Sequence, residues 1–283
     1  MPFESQTRQQ RGDAMNRYRV LSLTASLAAL VVSGGALAGL WASTAAPLAL
    51  TLGGATLALL LINSGLILRR VYQATSPMVC RQIAWLCLLS MGLCIAGDVV
   101  NFNIPQTYYR HGSVIRHDYL ADSVLFFGPG YLLLLVAVLK AVRFSGTVGY
   151  AGMWACLGVS LAAGAVSFLS LYLPGTGAYV GITTGLYSML ITAVGGSGVL
   201  LLVCYGAFRA PAGIRAVSLG LVLATAADAV IGAFWLYGNG GEGFFPIARD
   251  VNWVLYIASQ SLVIQLPLVM IRYGQAREGD RGR

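Results

Sequence analysis

Long apolar runs recur along the chain, each close to the ~20 residues that a helix needs to cross the hydrocarbon core of a bilayer. Polar residues or Gly/Pro breaks close each run. Eight runs fall near residues 20–42, 47–68, 83–102, 120–141, 149–172, 182–207, 214–236 and 251–271. The connections at 43–47 and 174–177 are short enough to be tight turns between antiparallel neighbours. The pattern predicts an all-α membrane protein with eight transmembrane helices. Residues 1–19 form a polar tail, 20–271 a single membrane domain, and 272–283 a second tail.

Composition strengthens this picture. Of the 283 residues 57% are hydrophobic and 10% charged, with a mean hydropathy of +0.74. Soluble domains carry roughly 25% charged residues, so a water-soluble globule and a disordered chain are both excluded. Five cysteines are too few for a disulfide scaffold. Thirty-five glycines suit closely packed membrane helices, where small residues let backbones approach.

The net charge of +8 is a topology signal. With the N-terminus inside, the inner segments hold Arg8, Arg11, Arg17, Arg19, Arg69, Arg70, Arg81, Lys140, Arg143, Arg209, Arg215, Arg272, Arg277, Arg281 and Arg283, fifteen of eighteen cations. Only Arg110, Arg116 and Arg249 fall outside. The positive-inside rule therefore predicts that both termini are cytoplasmic. Anionic membrane lipids are the expected counter-surface for this charge, and no nucleic-acid partner is called for. Four of the five tryptophans (Trp41, Trp85, Trp235, Trp253) lie near predicted span ends, as an aromatic belt would. Short basic loops without organelle signals point to a bacterial inner membrane.

The start of the chain imitates a secretory signal, with Arg17 and Arg19, an apolar stretch and Ala36-Leu37-Ala38. The apolar run continues through Leu40 and Trp41, long enough to span, so an uncleaved first helix is expected.

Four spans followed by four more predict two parallel repeats, about 20–142 and 149–271. Span three carries Cys94-Ile95-Ala96-Gly97-Asp98 and span seven Thr225-Ala226-Ala227-Asp228. Each precedes one of the two longest outer loops, 103–119 and 237–250, and then an acidic residue opening the next span, Asp122 or Asp250. In parallel-repeat membrane folds, sites lie at the repeat interface.

Ionisable groups inside a membrane are costly, about 2.5–3.5 kcal/mol at a helix centre on insertion scales. Only Asp98 and Asp228 sit clearly within apolar spans, with no Lys or Arg at comparable depth. Burial without a cation favours a neutral, protonated carboxyl, which makes both aspartates candidates for proton chemistry. Asn101 shares a helix face with Asp98. Asn252, Tyr256, Ser259 and Gln260 form a stripe running inward from Asp250, and Thr184, Tyr187, Ser188 and Thr192 form another in span six. Interhelical hydrogen bonding accounts for the Thr/Ser stripe, whereas Tyr256 and Gln260 share the outer half with Asp228.

Other groups read as structural. His111 and His117, the only histidines, lie in one outer loop beside Asp118 and Asp122, a set that could bind a metal but reads first as a solvated loop. Cys80, Cys87 and Cys94 recur every seven residues on one face of span three, as small packing residues. No Ser–His–Asp, His-Glu-x-x-His or phosphate-binding glycine pattern occurs, no lysine lies mid-span, and two histidines cannot make a three-histidine zinc site. No metal or organic cofactor is implied.

At its acidic helices the chain resembles the YhhN family, an integral-membrane group that includes lysoplasmalogenases. The similarity rests on Gly92-Leu93-Cys94-Ile95-Ala96-Gly97-Asp98 and Phe126-Phe127-Gly128-Pro129-Gly130-Tyr131-Leu132-Leu133 in the first half. In the second half it rests on Gly220-Leu221-Val222-Leu223 leading to Asp228, and on Leu255-Tyr256-Ile257-Ala258-Ser259-Gln260-Ser261-Leu262-Val263-Ile264. The chain departs from the family in its longer loop 103–119, and in Gly130-Tyr131 where relatives often carry a His-Leu-type pair. The resemblance implies eight spans and a hydrolase that cleaves the vinyl ether of a single-chain ether lipid. It also implies Asp98 and Asp228 as the acid–base pair, with Asn101, Tyr131, Tyr256 and Gln260 orienting water or the ether oxygen. Tyr187, Asp250 and Asn252 complete the expected substrate contacts. Two other readings fit the same residues. One is a sensory or ligand-binding membrane module that signals through a separate partner. The other is a small proton-coupled transporter, for which only Gly128-Pro129-Gly130 in span four offers a midplane break.

Overall fold

The computed structural model describes residues 2–39, 46–74, 76–104, 107, 119–236 and 246–281. Their secondary structure is helical throughout: α1 (Pro2–Leu37), α2 (Ala46–Gln73), α3 (Met78–Phe102), α4 (Leu120–Ser145), α5 (Tyr150–Leu171), α6 (Ala178–Cys204), α7 (Ala212–Val230), α8 (Pro246–Val263) and α9 (Leu266–Arg281). Eight segments are long and apolar enough to cross a membrane, with α8 and most of α9 together forming the last, Ile247–Gln275. The chain is a multi-pass membrane protein by this measure. Helix bounds exceed several of the apolar runs. Span two, for example, continues past Arg69 and Arg70 to Gln73, because a helix need not stop where the hydrocarbon does.

Seven of the spans close into a ring. α1 packs on α2, α2 on α3, α3 on α4, α4 on α6, α6 on α7, α7 on α8, and α8 returns to α1. α5 lies outside the ring against α6. Its side chains face outward almost all round, with Trp154, Val159, Val166 and Leu169 each more than 60% exposed. Only a lipid environment makes such a surface favourable. The contact with α6 is made at Gly164, where a Cβ would lie 2.6 Å from both the Met189 Cα and the Ser188 carbonyl oxygen. This is the small-residue approach expected between membrane helices.

The first helix belongs to the bundle through a buried polar seam. Asn63 Nδ2 of α2 donates to the Tyr18 carbonyl and to Ser22 Oγ, each at 3.0 Å. Gln265 Nε2 donates to Ser22 Oγ at 2.9 Å, and Ser261 Oγ to the Ser22 carbonyl at 3.1 Å. Cleavage after Ala38 would remove every one of these partners from Asn63, Ser261 and Gln265. Interhelical hydrogen bonds in membranes average about 0.6 kcal/mol and reach about 1.7. Asn63→Ala, which deletes two, is therefore expected to destabilise the protein by about 1–3 kcal/mol. Thermal unfolding in detergent checks this, and an unchanged midpoint would rule out an energetic role for the seam.

The two internal prolines behave differently. α4 runs unbroken through Pro129, so Gly128-Pro129-Gly130 is no midplane break. The interruption falls instead in the last span, between Val263 and Leu266. Pro267 has no N–H to return to the carbonyl four residues back, and the backbone tightens there. Gln265 N–H bonds Leu262 and Leu268 N–H bonds Gln265, three residues back in each case.

Candidate functional site

One end of the bundle holds a cavity of about 730 Å³. Its walls come from the last turns of α1, α3, α5 and α7 and the first turns of α2, α4, α6 and α8. That alternation is itself the mark of an up-and-down bundle. The volume falls within the roughly 300–1,000 Å³ of small-molecule sites. Charge divides along the same axis. Arg17, Arg19, Arg69, Arg70, Arg81, Lys140, Arg143, Arg209, Arg215 and Arg272 lie toward the opposite end, and among the described residues Arg249 is the one cation at the cavity.

Asp98 and Asp228 both line this cavity. Asp98, one turn before the end of α3, is buried, and Tyr256 Oη of α8 donates to its Oδ2 at 2.7 Å. Gly97 keeps the wall thin beside it, since a Cβ there would lie 2.6 Å from the Phe127 ring. Phe127 in turn meets Tyr256 edge-on, with ring centres 6.1 Å apart, and stacks with Tyr131 at 6.4 Å. Asp228 sits near the end of α7, just before the chain opens into a π-helical turn over Ile231–Leu236. Such turns often accompany functional sites. The Tyr187 and Tyr131 phenols approach its carboxyl, yet neither Tyr187 Oη nor Asp228 Oδ2 reaches hydrogen-bonding geometry with any partner. The two carboxyls are close enough to feel each other's charge. The one ion pair among the described residues is the loose Arg249–Asp250 contact at 3.6 Å, with the Arg249 side chain 53% exposed. Among the described residues no cation pairs with Asp98 or Asp228.

Unsatisfied polarity concentrates at the same place. Ser33 Oγ, Asn101 Oδ1, Tyr187 Oη, Asp228 Oδ2, Asn252 Oδ1 and Trp253 Nε1 are all buried without a hydrogen-bond partner, and all six residues line the cavity. Each such group costs about 1–3 kcal/mol if it stays unpaired. A wall carrying six of them is built to meet a polar ligand or ordered water.

The nine residues singled out in the sequence thus fall in two layers. Asp98, Asn101, Tyr187, Asp228, Asp250, Asn252 and Tyr256 line the cavity. Tyr131 and Gln260 lie behind the wall, both buried, with Gln260 Nε2 donating to Tyr131 Oη at 3.5 Å. The Thr/Ser stripe of α6 bonds mainly to its own helix: Thr184 to Val180 and Thr192 to Ser188. Ser188 crosses to the Gly164 carbonyl of α5 at 3.0 Å. Asp122 does not line the cavity; it accepts a hydrogen bond from Tyr179 Oη at 2.8 Å, tying α4 to α6. Cys80, Cys87 and Cys94 are buried in the core. His111, His117, Asp118 and Trp41 lie outside the described residues, as does most of each long loop.

Three aromatics of the site carry no mark as site residues in the sequence. Phe102 and Phe127 are two of many apolar residues in their helices. Trp253, which reads as part of an aromatic belt, packs between Phe102 (5.7 Å) and Tyr256 (6.1 Å) on the cavity wall. Its spacing of three from Tyr256 is the one available signal that both share a face.

Comparison of the chain with protein-family models, with curated proteins and with solved structures gives no match.

Proposed function

We propose that the chain is an integral-membrane hydrolase of the lysoplasmalogenase type, acting on the vinyl ether bond of a single-chain ether lipid. The observation that carries this reading is the pair of carboxyls, Asp98 and Asp228, paired with no cation among the described residues, in one cavity whose wall presents six unpartnered polar atoms. Vinyl ether hydrolysis needs a proton delivered to the alkene carbon, which leaves an oxocarbenium ion. Water then adds to the carbon bearing oxygen, losing its proton to a base, and the hemiacetal collapses to an alcohol and a fatty aldehyde. No oxidant, metal or organic cofactor enters this balance. Two carboxyls divide the same labour in glycosidases, one as acid and one as base or charge stabiliser.

Hydrogen bonding supports one division of the roles. Tyr256 Oη donates to Asp98 Oδ2, which orients that carboxyl and suits Asp98 to take the proton from water. Asp228 Oδ2 has no donor and, in an apolar setting, is the oxygen that carries the proton to the alkene. Asn101, Asn252 and Tyr187 orient the water and the ether oxygen, Tyr131 and Gln260 hold the wall from behind, and Asp250 fixes Arg249 at the mouth.

The same reading places the basic end in the cytoplasm of a bacterial inner membrane, with both termini inside, following the charge bias of the described helices. It also treats the two halves as parallel repeats, since α3 and α7 each end on an aspartate facing the one cavity. The test is aldehyde release from lysoplasmenyl-ethanolamine by the purified protein in detergent. Release is expected. None across several single-chain ether lipids would turn the search to a ligand-binding module with a signalling partner.

A further inference from the structure

The basic end of the bundle carries a second recess, independent of the cavity above. A groove of about 280 Å³ runs between the end of α2, the start of α3 and the end of α4, walled by Tyr72, Met78, Arg81, Gln82, Trp85 and Lys140. Among the described residues no carboxyl pairs with its cations. Lys140 Nζ donates to the neutral Gln82 Oε1 at 2.9 Å. Arg81 lies over the Tyr72 ring at 5.3 Å, and its Nε is buried without a hydrogen-bond partner. The four carboxyls whose side chains are described, Asp98, Asp122, Asp228 and Asp250, all sit at the other end. The first turn of α3, capped by Pro77 with no side-chain hydrogen bond, adds the positive end of a helix dipole.

The rim is apolar and faces outward. Met78 is 67% exposed, Tyr72 49% and Trp85 45%, and the Trp85 indole N–H donates to Tyr72 Oη at 3.0 Å, which ties the two side chains together at the rim. Two cations beside an amphipathic aromatic edge match one ligand chemistry: a phosphate whose attached chains remain in the hydrocarbon. Basic pockets between transmembrane helices bind anionic lipid headgroups on this physical basis. We infer that the groove of α2, α3 and α4 seats the phosphate of an anionic phospholipid, with Arg81 and Lys140 on the headgroup and Trp85 and Met78 along the chains.

The test titrates the purified full-length protein in nonionic detergent with phosphatidylglycerol, phosphatidylcholine or inorganic phosphate, and counts bound lipid by native mass spectrometry. At about three- to fivefold per surface cation, two cations should give the anionic lipid a preference of about 10–30-fold over phosphatidylcholine. R81Q/K140Q should lose that preference, while R209Q/R215Q, altered at the same end but outside the groove, should keep it. Equal binding of the two lipids by the parent protein would overturn the inference, as would a preference that survives R81Q/K140Q. Equal loss in both double variants would replace the groove with diffuse attraction. Displacement of the lipid by equimolar inorganic phosphate would make free phosphate the ligand. Brominated phosphatidylglycerol gives a second readout that alters no charge: it should quench tryptophan fluorescence in the parent and quench less in Trp85→Phe. Equal quenching in both would place the lipid elsewhere.

Discussion

Asp228→Asn is expected to lower aldehyde release by about 10²–10⁴-fold, the usual worth of a positioned general acid, while the protein stays folded. Asparagine keeps the shape of the side chain, so the wall formed with Tyr187, Thr225 and Ala229 is preserved. What it removes is the proton that the alkene carbon must receive. The amide also places an N–H₂ group near Tyr187 Oη, which is buried without a partner, so thermal stability should hold or rise slightly. Rate and melting point measured on the same preparation separate the two effects. Asp122→Asn is the matched control, because that carboxyl binds Tyr179 and lies off the cavity wall. It should change the rate little. Release that survives Asp228→Asn within a few-fold would remove Asp228 from the reaction.

Parts of this architecture are legible in the sequence and parts are not, for physical reasons. An apolar run of ~20 residues has few other fates than a membrane span, so the eight spans follow from hydropathy alone. Asp98 and Asp228 stand out because a carboxyl in such a run is costly. The arrangement of the helices around them is another matter. The Tyr256–Asp98 bond joins residues 158 positions apart, and helical periodicity shows which residues share a face without showing which faces meet. The exclusion of α5 from the ring is equally hidden, since its apolar content matches that of its neighbours and only packing reveals that little of it is buried. Pro129 and Pro267 are alike in sequence. The first sits in a continuous helix pressed against α3, where a Cβ on Gly130 would lie 3.0 Å from Cys94 Sγ. The second stands beside a break next to Gln265, whose side chain reaches α1. The same residue type thus sits within a continuous helix at one site and beside a break at the other, with different packing around each.

Asp98 and Tyr256 should behave as one unit. Asp98→Asn alone is expected to cost about 10²–10⁴-fold in aldehyde release, as loss of a general base does. Tyr256→Phe leaves the ring and its packing against Phe127 and Trp253 in place and removes only the hydroxyl that donates to Asp98. A hydrogen bond to a charged group contributes about 1.5–3 kcal/mol, and a factor of ten in rate corresponds to about 1.4 kcal/mol. Tyr256→Phe should therefore slow release by about 10–100-fold. If the hydroxyl acts by orienting Asp98, it has nothing left to do once that carboxyl is gone. The double variant should then be no slower than Asp98→Asn, a non-additivity that a separate contact of Tyr256 with substrate would not produce. Multiplying losses in the double variant would make Tyr256 an independent substrate-binding residue. Full activity in Tyr256→Phe would show that the 2.7 Å bond is structural. The cycle thus reads the role of Asp98 through its only hydrogen-bond donor described in the cavity, at a position where charge has no other support.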